Sequence, residues 1–261
     1  MVTKAKRLAA GSVLGGASFI LRIAISLFMT PFMIARFGDQ TYGLWMLVAS
    51  FSGFYGVLDL GLSTAVQRYM SRAIGTDDTE EVSYIFNTSL VVFCGLGFIA
   101  MLFTGALAWM APVFVKETAD ISIFRIVVLL CSVNIIVSFP MRSFWGILSS
   151  NLRFDISIYL NLINVAIKTI LMIVFLKLGY GIVAVALINL ITDLVWNAAN
   201  VICALRIAPY IKISVEFIKF DRLKMFLGYS IYVFISRIAD LIKFTIDNYV
   251  ISAFVGLSAV T

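Results

Sequence analysis

Four charged residues late in the sequence share a regular spacing. Arg237, Asp240, Lys243 and Asp247 follow one another at intervals of three or four residues within an otherwise apolar segment. In an α-helix these side chains fall within an arc of about 120°, so they would occupy one face. Guanidinium and ammonium groups bind phosphate oxygens, whereas carboxylates bind protons or metal cations. The spacing therefore predicts a helix face that handles ions.

Polar residues recur at the same spacing in other apolar segments. These rows are Ser18, Arg22, Ser26 and Thr30; Asp59, Ser63 and Gln67; Asn134, Ser138 and Arg142; Asn161, Asn164 and Lys168; and Asn189, Asp193, Asn197 and Asn200. The rows either line one aqueous interior or pair across helices to hold a bundle together. For the charged members we favour the transport cavity, because ionisable groups inside a membrane are functional candidates by default. Arg142 is the weakest of these candidates, because snorkelling of its side chain to the cytoplasmic surface is an open alternative.

The composition places these rows in a membrane protein. The 261 residues are 62% hydrophobic and only 13% charged, with a mean hydropathy of +1.04. Histidine, the commonest metal ligand and the usual general base, does not occur. Cys94, Cys131 and Cys203 lie in long apolar runs, where we expect free thiols. We predict no cofactor, no metal site and no enzymatic activity. The dispersed basic residues also argue against nucleic acid as a partner.

The apolar runs are long enough for about seven transmembrane helices. At roughly 20 residues per crossing, we place the spans near 8–35, 43–66, 83–110, 122–148, 157–178, 181–205 and 225–254. With a cytoplasmic N-terminus, twelve basic residues fall in the inner segments and four in the outer ones. Because cytoplasmic loops are enriched in Lys and Arg, this asymmetry predicts the orientation. The alternating segment 207–224 is expected to be an extended linker along the membrane surface.

Three short motifs carry a family resemblance. The run from Phe37 to Trp45, FGDQTYGLW, is followed by LDLGL at Leu58 to Leu62 and AVQRY at Ala65 to Tyr69. Together they resemble the polysaccharide transporters, or Wzx-type oligosaccharide flippases, of the superfamily that includes multidrug-and-toxin extruders and lipid II flippases. The resemblance implies an all-α integral membrane fold. On it, residues 1–206 form a six-helix lobe, 207–224 a cytoplasmic linker and 225–261 the first helix of a truncated second lobe.

The same resemblance implies a function. Members of the family move polyprenyl-diphosphate-linked oligosaccharides from the cytoplasmic to the periplasmic leaflet of the bacterial inner membrane, for surface polysaccharide or O-antigen synthesis. On this basis Arg22, Lys168, Arg237 and Lys243 are expected to bind the substrate diphosphate. Asp59, Asp193, Asp240 and Asp247 are expected to bind a proton or sodium ion that drives transport. Membrane lipid and, in some systems, glycan-assembly proteins are the remaining expected partners.

Other functions are compatible with the same residues. A cation-coupled multidrug exporter would have the same architecture, but a cavity dominated by carboxylates and aromatic residues. A non-transporting subunit of a glycan-assembly complex would use the polar rows as assembly contacts, and a membrane enzyme would need catalytic groups facing one leaflet. Because family members commonly have 12 to 14 helices, we also expect the chain to be a fragment that cannot transport alone.

Overall fold

The computed structural model describes the backbone of residues 2–115 and 118–254, and the side chains of residues 14–51, 58–115 and 121–239. The described backbone is helical apart from short connections and the segment 208–219, and it contains no strand. The helices are α1 (Val2–Leu58), α2 (Leu62–Gly75), α3 (Thr79–Trp109), α4 (Ala111–Phe114), α5 (Thr118–Ser150), α6 (Phe154–Lys177), α7 (Ile182–Ile207) and α8 (Phe220–Phe254), with a 3-10 turn at Val215–Phe217. The predicted all-α class is confirmed.

Five helical stretches in the described part of the chain are long and apolar enough to cross a membrane. They are Leu14–Phe51, Thr79–Trp109, Ile121–Ser150, Phe154–Lys177 and Ile182–Ile207. Large apolar side chains such as Phe19, Leu27 and Val195 project from the bundle and are mostly exposed. A soluble protein would bury such side chains, whereas lipid accommodates them without cost. The protein is therefore a multi-pass membrane protein.

The first stretch contains two crossings, because α1 is interrupted at Gly38. This glycine has non-helical backbone angles, φ 75° and ψ 166°. Before it, Gly15 lies beside Ile158, near the start of α6. After it, α1 ends at Leu58, and the next residue, Asp59, pairs with Arg142 in the last part of α5, at the same end of the bundle as the start of α6. The chain thus reverses at Gly38, as the two predicted spans 8–35 and 43–66 require.

The connections define two ends of the bundle. Residues 76–78, 151–153 and 208–219 lie at the predicted cytoplasmic end. Gly38 and residues 110–115 and 178–181 lie at the opposite end, which is the predicted outer end. Helices α3, α5, α6 and α7 run between these ends with boundaries within a few residues of the predicted spans.

The second predicted span is wrong in one respect, because it breaks after Leu58 instead of continuing to residue 66. Leu60 and Gly61 have left-handed φ angles of 48° and 77°, which α-helices do not contain. A Cβ atom on Gly61 would lie 2.8 Å from Cβ of Val233 in α8. The break therefore lets the chain pass close against α8, and it leaves Asp59 at a helix end inside the bundle.

The segment 208–219 is fastened to the beginning of α3. Nδ2 of Asn87 donates to the Lys212 carbonyl (2.7 Å), and the Ser214 amide donates to Oδ1 of Asn87 (3.1 Å). The Lys219 amide donates to Oγ1 of Thr88 (3.2 Å). Ser214 has extended backbone angles, but the helix that follows begins at Phe220 and not at residue 225. The division of the chain into a lobe, a linker and a second-lobe helix stays a prediction.

Candidate functional site

A buried carboxylate at the break between α1 and α2 gathers partners from three helices. The side chain of Asp59 is only 3% exposed. Its Oδ1 accepts hydrogen bonds from Oγ of Ser63 (2.6 Å) and from Nη1 of Arg142 in α5 (2.5 Å). Nη1 of Arg237 in α8 lies 3.4 Å from Oδ2. One carboxylate thus faces two guanidinium groups, which leaves this cluster with a net positive charge.

The two arginines are held to different degrees. Arg142 makes the shorter contact, and its guanidinium carbon lies 4.4 Å from the centroid of the Phe139 ring, a favourable cation–π position. Arg237 makes the longer contact, and its side chain is 48% exposed, against 27% for Arg142. Water competes more effectively for the exposed group. Arg237 is therefore the cation that a bound anion could draw away from Asp59.

Both arginines line a cavity of about 270 Å³. Its walls are Ser63, Thr64, Gln67, Arg142, Trp145, Gly146, Ser149, Phe154, Ser157 and Arg237. Three of the predicted polar rows meet here, since Ser63 and Gln67, Arg142 and Arg237 come from separate rows. The cavity offers two cations together with hydroxyl and amide groups, which suits an anionic, hydrogen-bonding ligand. We refer to it as the arginine cavity.

A second cluster surrounds Asp193 in α7. Oδ1 accepts hydrogen bonds from Nζ of Lys168 (2.7 Å) and Nδ2 of Asn164 (2.9 Å), both in α6. Oδ2 accepts one from Nδ2 of Asn134 in α5 (2.8 Å). The carboxylate therefore has an internal counter-ion and two amide donors. This arrangement supports the alternative interpretation of the polar rows, in which polar groups tie neighbouring helices together.

The remaining predicted site residues lie apart from these clusters. Arg22, in the first half of α1, is exposed, and the described ion pairs do not include it. Asp240, Lys243 and Asp247 continue α8, but their side chains lie outside the described residues. Among the side chains that are described, no group of three or more His, Cys, Asp or Glu residues could hold a metal ion.

Sequence reasoning left Arg142 out of the expected substrate-binding residues. The alternative in which it snorkels to the cytoplasmic surface is wrong, because the side chain turns into the bundle and pairs with Asp59. A signal was present in the row Asn134, Ser138 and Arg142, whose spacing places the arginine on the same face as two polar residues. The aromatic lining residue Trp145 carried no comparable signal, because a tryptophan near the end of an apolar span is equally typical of the membrane interface.

The sequence matches a known protein family. The sequence profile of the family described as "Polysaccharide biosynthesis protein" matches residues 11–261. The chain belongs to this family. It is also similar to the uncharacterized membrane protein EpsK of Bacillus subtilis (strain 168), with 24% identity over 128 residues, which are 49% of this chain and 25% of EpsK.

Solved structures show the same fold. A crystal structure of a MATE mutant matches with a TM-score of 0.80 at 17% identity, covering 98% of this chain and 58% of that one. The outward-facing conformation of a multidrug resistance MATE family transporter of the MOP superfamily matches with a TM-score of 0.76 at 18% identity, covering 98% and 57%. This member of the polysaccharide biosynthesis family thus has a MATE-like fold and spans less than two thirds of these relatives.

Proposed function

We propose that this chain is part of a flippase that moves a polyprenyl-diphosphate-linked oligosaccharide across the bacterial inner membrane, from the cytoplasmic to the periplasmic leaflet. The observation that carries the proposal is the pair of arginines that share one buried carboxylate at the wall of the arginine cavity. Their excess positive charge, in a membrane-embedded cavity, fits a phosphate-bearing ligand. The family match supports a transported substrate that is used in surface polysaccharide synthesis.

In this proposal the two arginines have different tasks. Arg142 stays paired with Asp59 and supplies a fixed positive potential. Arg237, which is less tightly held, turns to the diphosphate and contacts its oxygens through its planar guanidinium group. Ser63, Gln67 and Ser149 offer further hydrogen bonds. The ion pair of Lys168 and Asp193 holds α6 against α7.

Several roles remain predictions of the sequence. Substrate contacts by Arg22 and Lys243 belong to this group, as do ion coupling by Asp59, Asp193, Asp240 and Asp247 and the cytoplasmic location of the N-terminus. Lys168 was also predicted to contact substrate. In the proposed mechanism its ammonium group instead serves as the counter-ion of Asp193.

Complementation tests the proposal. A strain that lacks its lipid-linked oligosaccharide flippase would receive the gene together with its natural downstream coding sequence, and surface glycan would be measured. We expect rescue by the unaltered gene, little rescue by Arg237→Gln and partial rescue by Arg237→Lys, which keeps the charge but loses the planar fork. Arg125→Gln is the matched control, because Arg125 lies near the predicted outer end and donates to the Ala108 carbonyl.

The outcomes separate the competing functions. Equal rescue by Arg237→Gln and Arg125→Gln, at equal membrane levels, would contradict the proposal. Rescue of drug resistance without rescue of surface glycan would favour a multidrug exporter. Loss of a glycan-assembly complex in every arginine variant would favour a structural subunit. The 261-residue chain expressed alone tests the predicted need for a second lobe.

A further inference from the structure

A single face of α6 joins the arginine cavity to a second depression in the bundle. Phe154 and Ser157 line the arginine cavity. Ser157 and the residues Leu160, Asn164, Ile167 and Leu171 fall within an arc of about 80° on α6. The last four, with Ile163 at the edge of the arc, line a groove of about 210 Å³ between α6 and α7. From Ser157 to Leu171 the stripe is roughly 21 Å long, at 1.5 Å per residue. We call this depression the α6–α7 groove.

The groove has apolar walls. Besides the α6 residues it is lined by Ile191, Thr192, Val195, Trp196 and Ala199 of α7. Its two hydrogen-bonding side chains other than the tryptophan are turned inward, since Asn164 donates to Asp193 and Thr192 donates to the Ile188 carbonyl (2.7 Å). The groove therefore presents an apolar surface to a ligand.

Two tryptophans connect the depressions. Trp145 lines the arginine cavity and Trp196 lines the groove. Their rings pack edge to face, with centroids 5.9 Å apart. Tryptophan has a large apolar surface and a polar N–H group, so it suits the boundary between the polar head group and the hydrocarbon chain of a lipid. Nε1 of Trp196 is buried and has no hydrogen-bond partner among the described residues.

The direction of the stripe matches an inner-leaflet lipid. Arg142 lies about two turns from the end of α5, and Phe154 begins α6, so the cationic part is near the predicted cytoplasmic end. The groove continues along α6 toward the middle of the membrane. A lipid of the cytoplasmic leaflet has the same order, with its phosphate at the surface and its chain pointing inward.

We propose that the α6–α7 groove binds the hydrocarbon chain of the same anionic amphiphile whose phosphate is held by Arg142 and Arg237. The proposal rests on the anion site of the proposed function and adds a second subsite to it. The cationic cavity selects the charge, and the groove selects a ligand with a chain attached to that charge. An inorganic anion would use only the first subsite.

Binding measurements on the purified full-length protein test this arrangement. Farnesyl diphosphate is the probe with a chain, and inorganic pyrophosphate is the probe without one. The variant Ile167→Trp fills the groove. Ile170→Trp is its matched control, because Ile170 is an exposed residue of the same helix that does not line the groove. A size-exclusion profile of each variant verifies folding.

We expect Ile167→Trp to weaken farnesyl diphosphate binding by at least about tenfold, the loss expected when two buried methylene groups leave their contacts. Pyrophosphate binding should stay unchanged in both tryptophan variants. Equal farnesyl diphosphate affinity in Ile167→Trp and Ile170→Trp would overturn the chain subsite, leaving the groove to bulk membrane lipid. Failure of the unaltered protein to bind either probe would instead overturn the anion site, and with it the proposed function.

Discussion

Asp59 has the most constrained position of the predicted site residues whose side chains are described. Its carboxylate is buried, and three donors from α2, α5 and α8 converge on it. Removing one partner of a buried ion pair leaves an uncompensated charge, at a cost of about 3–5 kcal/mol. Removing both partners avoids much of that cost. The Asp59 carboxylate therefore contributes most to stability when Arg142 is present.

This reasoning predicts a non-additive double mutant. Asp59→Ala should lower the thermal stability of the detergent-solubilised protein strongly, because it leaves the partly buried Arg142 guanidinium without its counter-ion. The double variant Asp59→Ala with Arg142→Ala should be more stable than Asp59→Ala alone. The measurement is a thermal unfolding curve for the two single variants and the double variant. Additive losses would show that the two side chains do not depend on each other.

The pairing of Asp59 with Arg142 also marks a limit of sequence reasoning. Both residues appeared in polar rows at helical spacing, so their faces could be predicted. Their contact spans 83 positions in the chain and depends on how α5 packs against the break between α1 and α2. A lone arginine near a helix end fits snorkelling equally well by periodicity, and only the packing distinguishes the two.

At the scale of elements, Gly61 allows the break between α1 and α2 to pack closely against α8. We predict that Gly61→Ala destabilises the protein, because the left-handed backbone costs a residue with a Cβ about 1–2 kcal/mol. The new Cβ would also collide with Val233. Gly95→Ala is the control, since Gly95 lies within α3 with open space around it. Thermal unfolding should show a loss for Gly61→Ala and none for Gly95→Ala; similar curves would refute the close-approach argument.

Asn87 provides a second test at this scale. Replacing it with Asp puts an oxygen where Nδ2 now donates to the Lys212 carbonyl. Two acceptors then face each other, so the segment 208–219 should detach more often from α3. We predict trypsin cleavage after the exposed Lys212 and Lys219 at least about five times faster, from the cost of an unsatisfied buried group.

The control for this proteolysis experiment is Asn151→Asp. Nδ2 of Asn151 donates to the Ile147 carbonyl, within its own helical turn and away from the segment 208–219. Cleavage sites and rates would be read by mass spectrometry of the solubilised protein. Unchanged rates in Asn87→Asp would mean that other contacts hold the segment.

Element prediction succeeded where hydropathy decides and failed where local backbone geometry decides. The boundaries of α3, α5, α6 and α7 follow from apolar runs that end at polar or glycine residues. The break after Leu58 does not, because Leu60 adopts a positive φ that its side chain gives no reason to expect. Gly61 offered a hint, yet a single glycine within an apolar run is also compatible with a continuous helix.

At the scale of the whole molecule, the predicted orientation can be measured. In a background with Cys94, Cys131 and Cys203 replaced, single cysteines would be introduced by Thr76→Cys and Tyr180→Cys, at exposed positions in turns at opposite ends of the bundle. A membrane-impermeant maleimide should label the Tyr180→Cys variant in intact cells, and the Thr76→Cys variant only after permeabilisation. The reverse pattern would place the N-terminus outside.

The sequence indicates which polar residues share a helix face, but not which faces meet. Arg237 was predicted to bind substrate and Asp59 to bind an ion, and these roles stay predictions, although the structure brings the two side chains to 3.4 Å. Lys168 was predicted to share the substrate contact of Arg237. The structure separates it, because α6 and α7 bring Lys168 to Asp193 at hydrogen-bond distance. Which faces of the helices meet depends on helix rotation and crossing, and periodicity leaves these open.

The contact between Arg237 and Asp59 has a consequence for an unloaded protein. It ties α8 to the helices before it, so any motion that separates them leaves a guanidinium without a counter-ion inside the membrane. In the proposed function, a bound phosphate would supply the missing negative charge, and the same motion would then cost less. The ion pair would therefore restrain the motion of a flippase that carries no substrate and would limit leakage through the membrane.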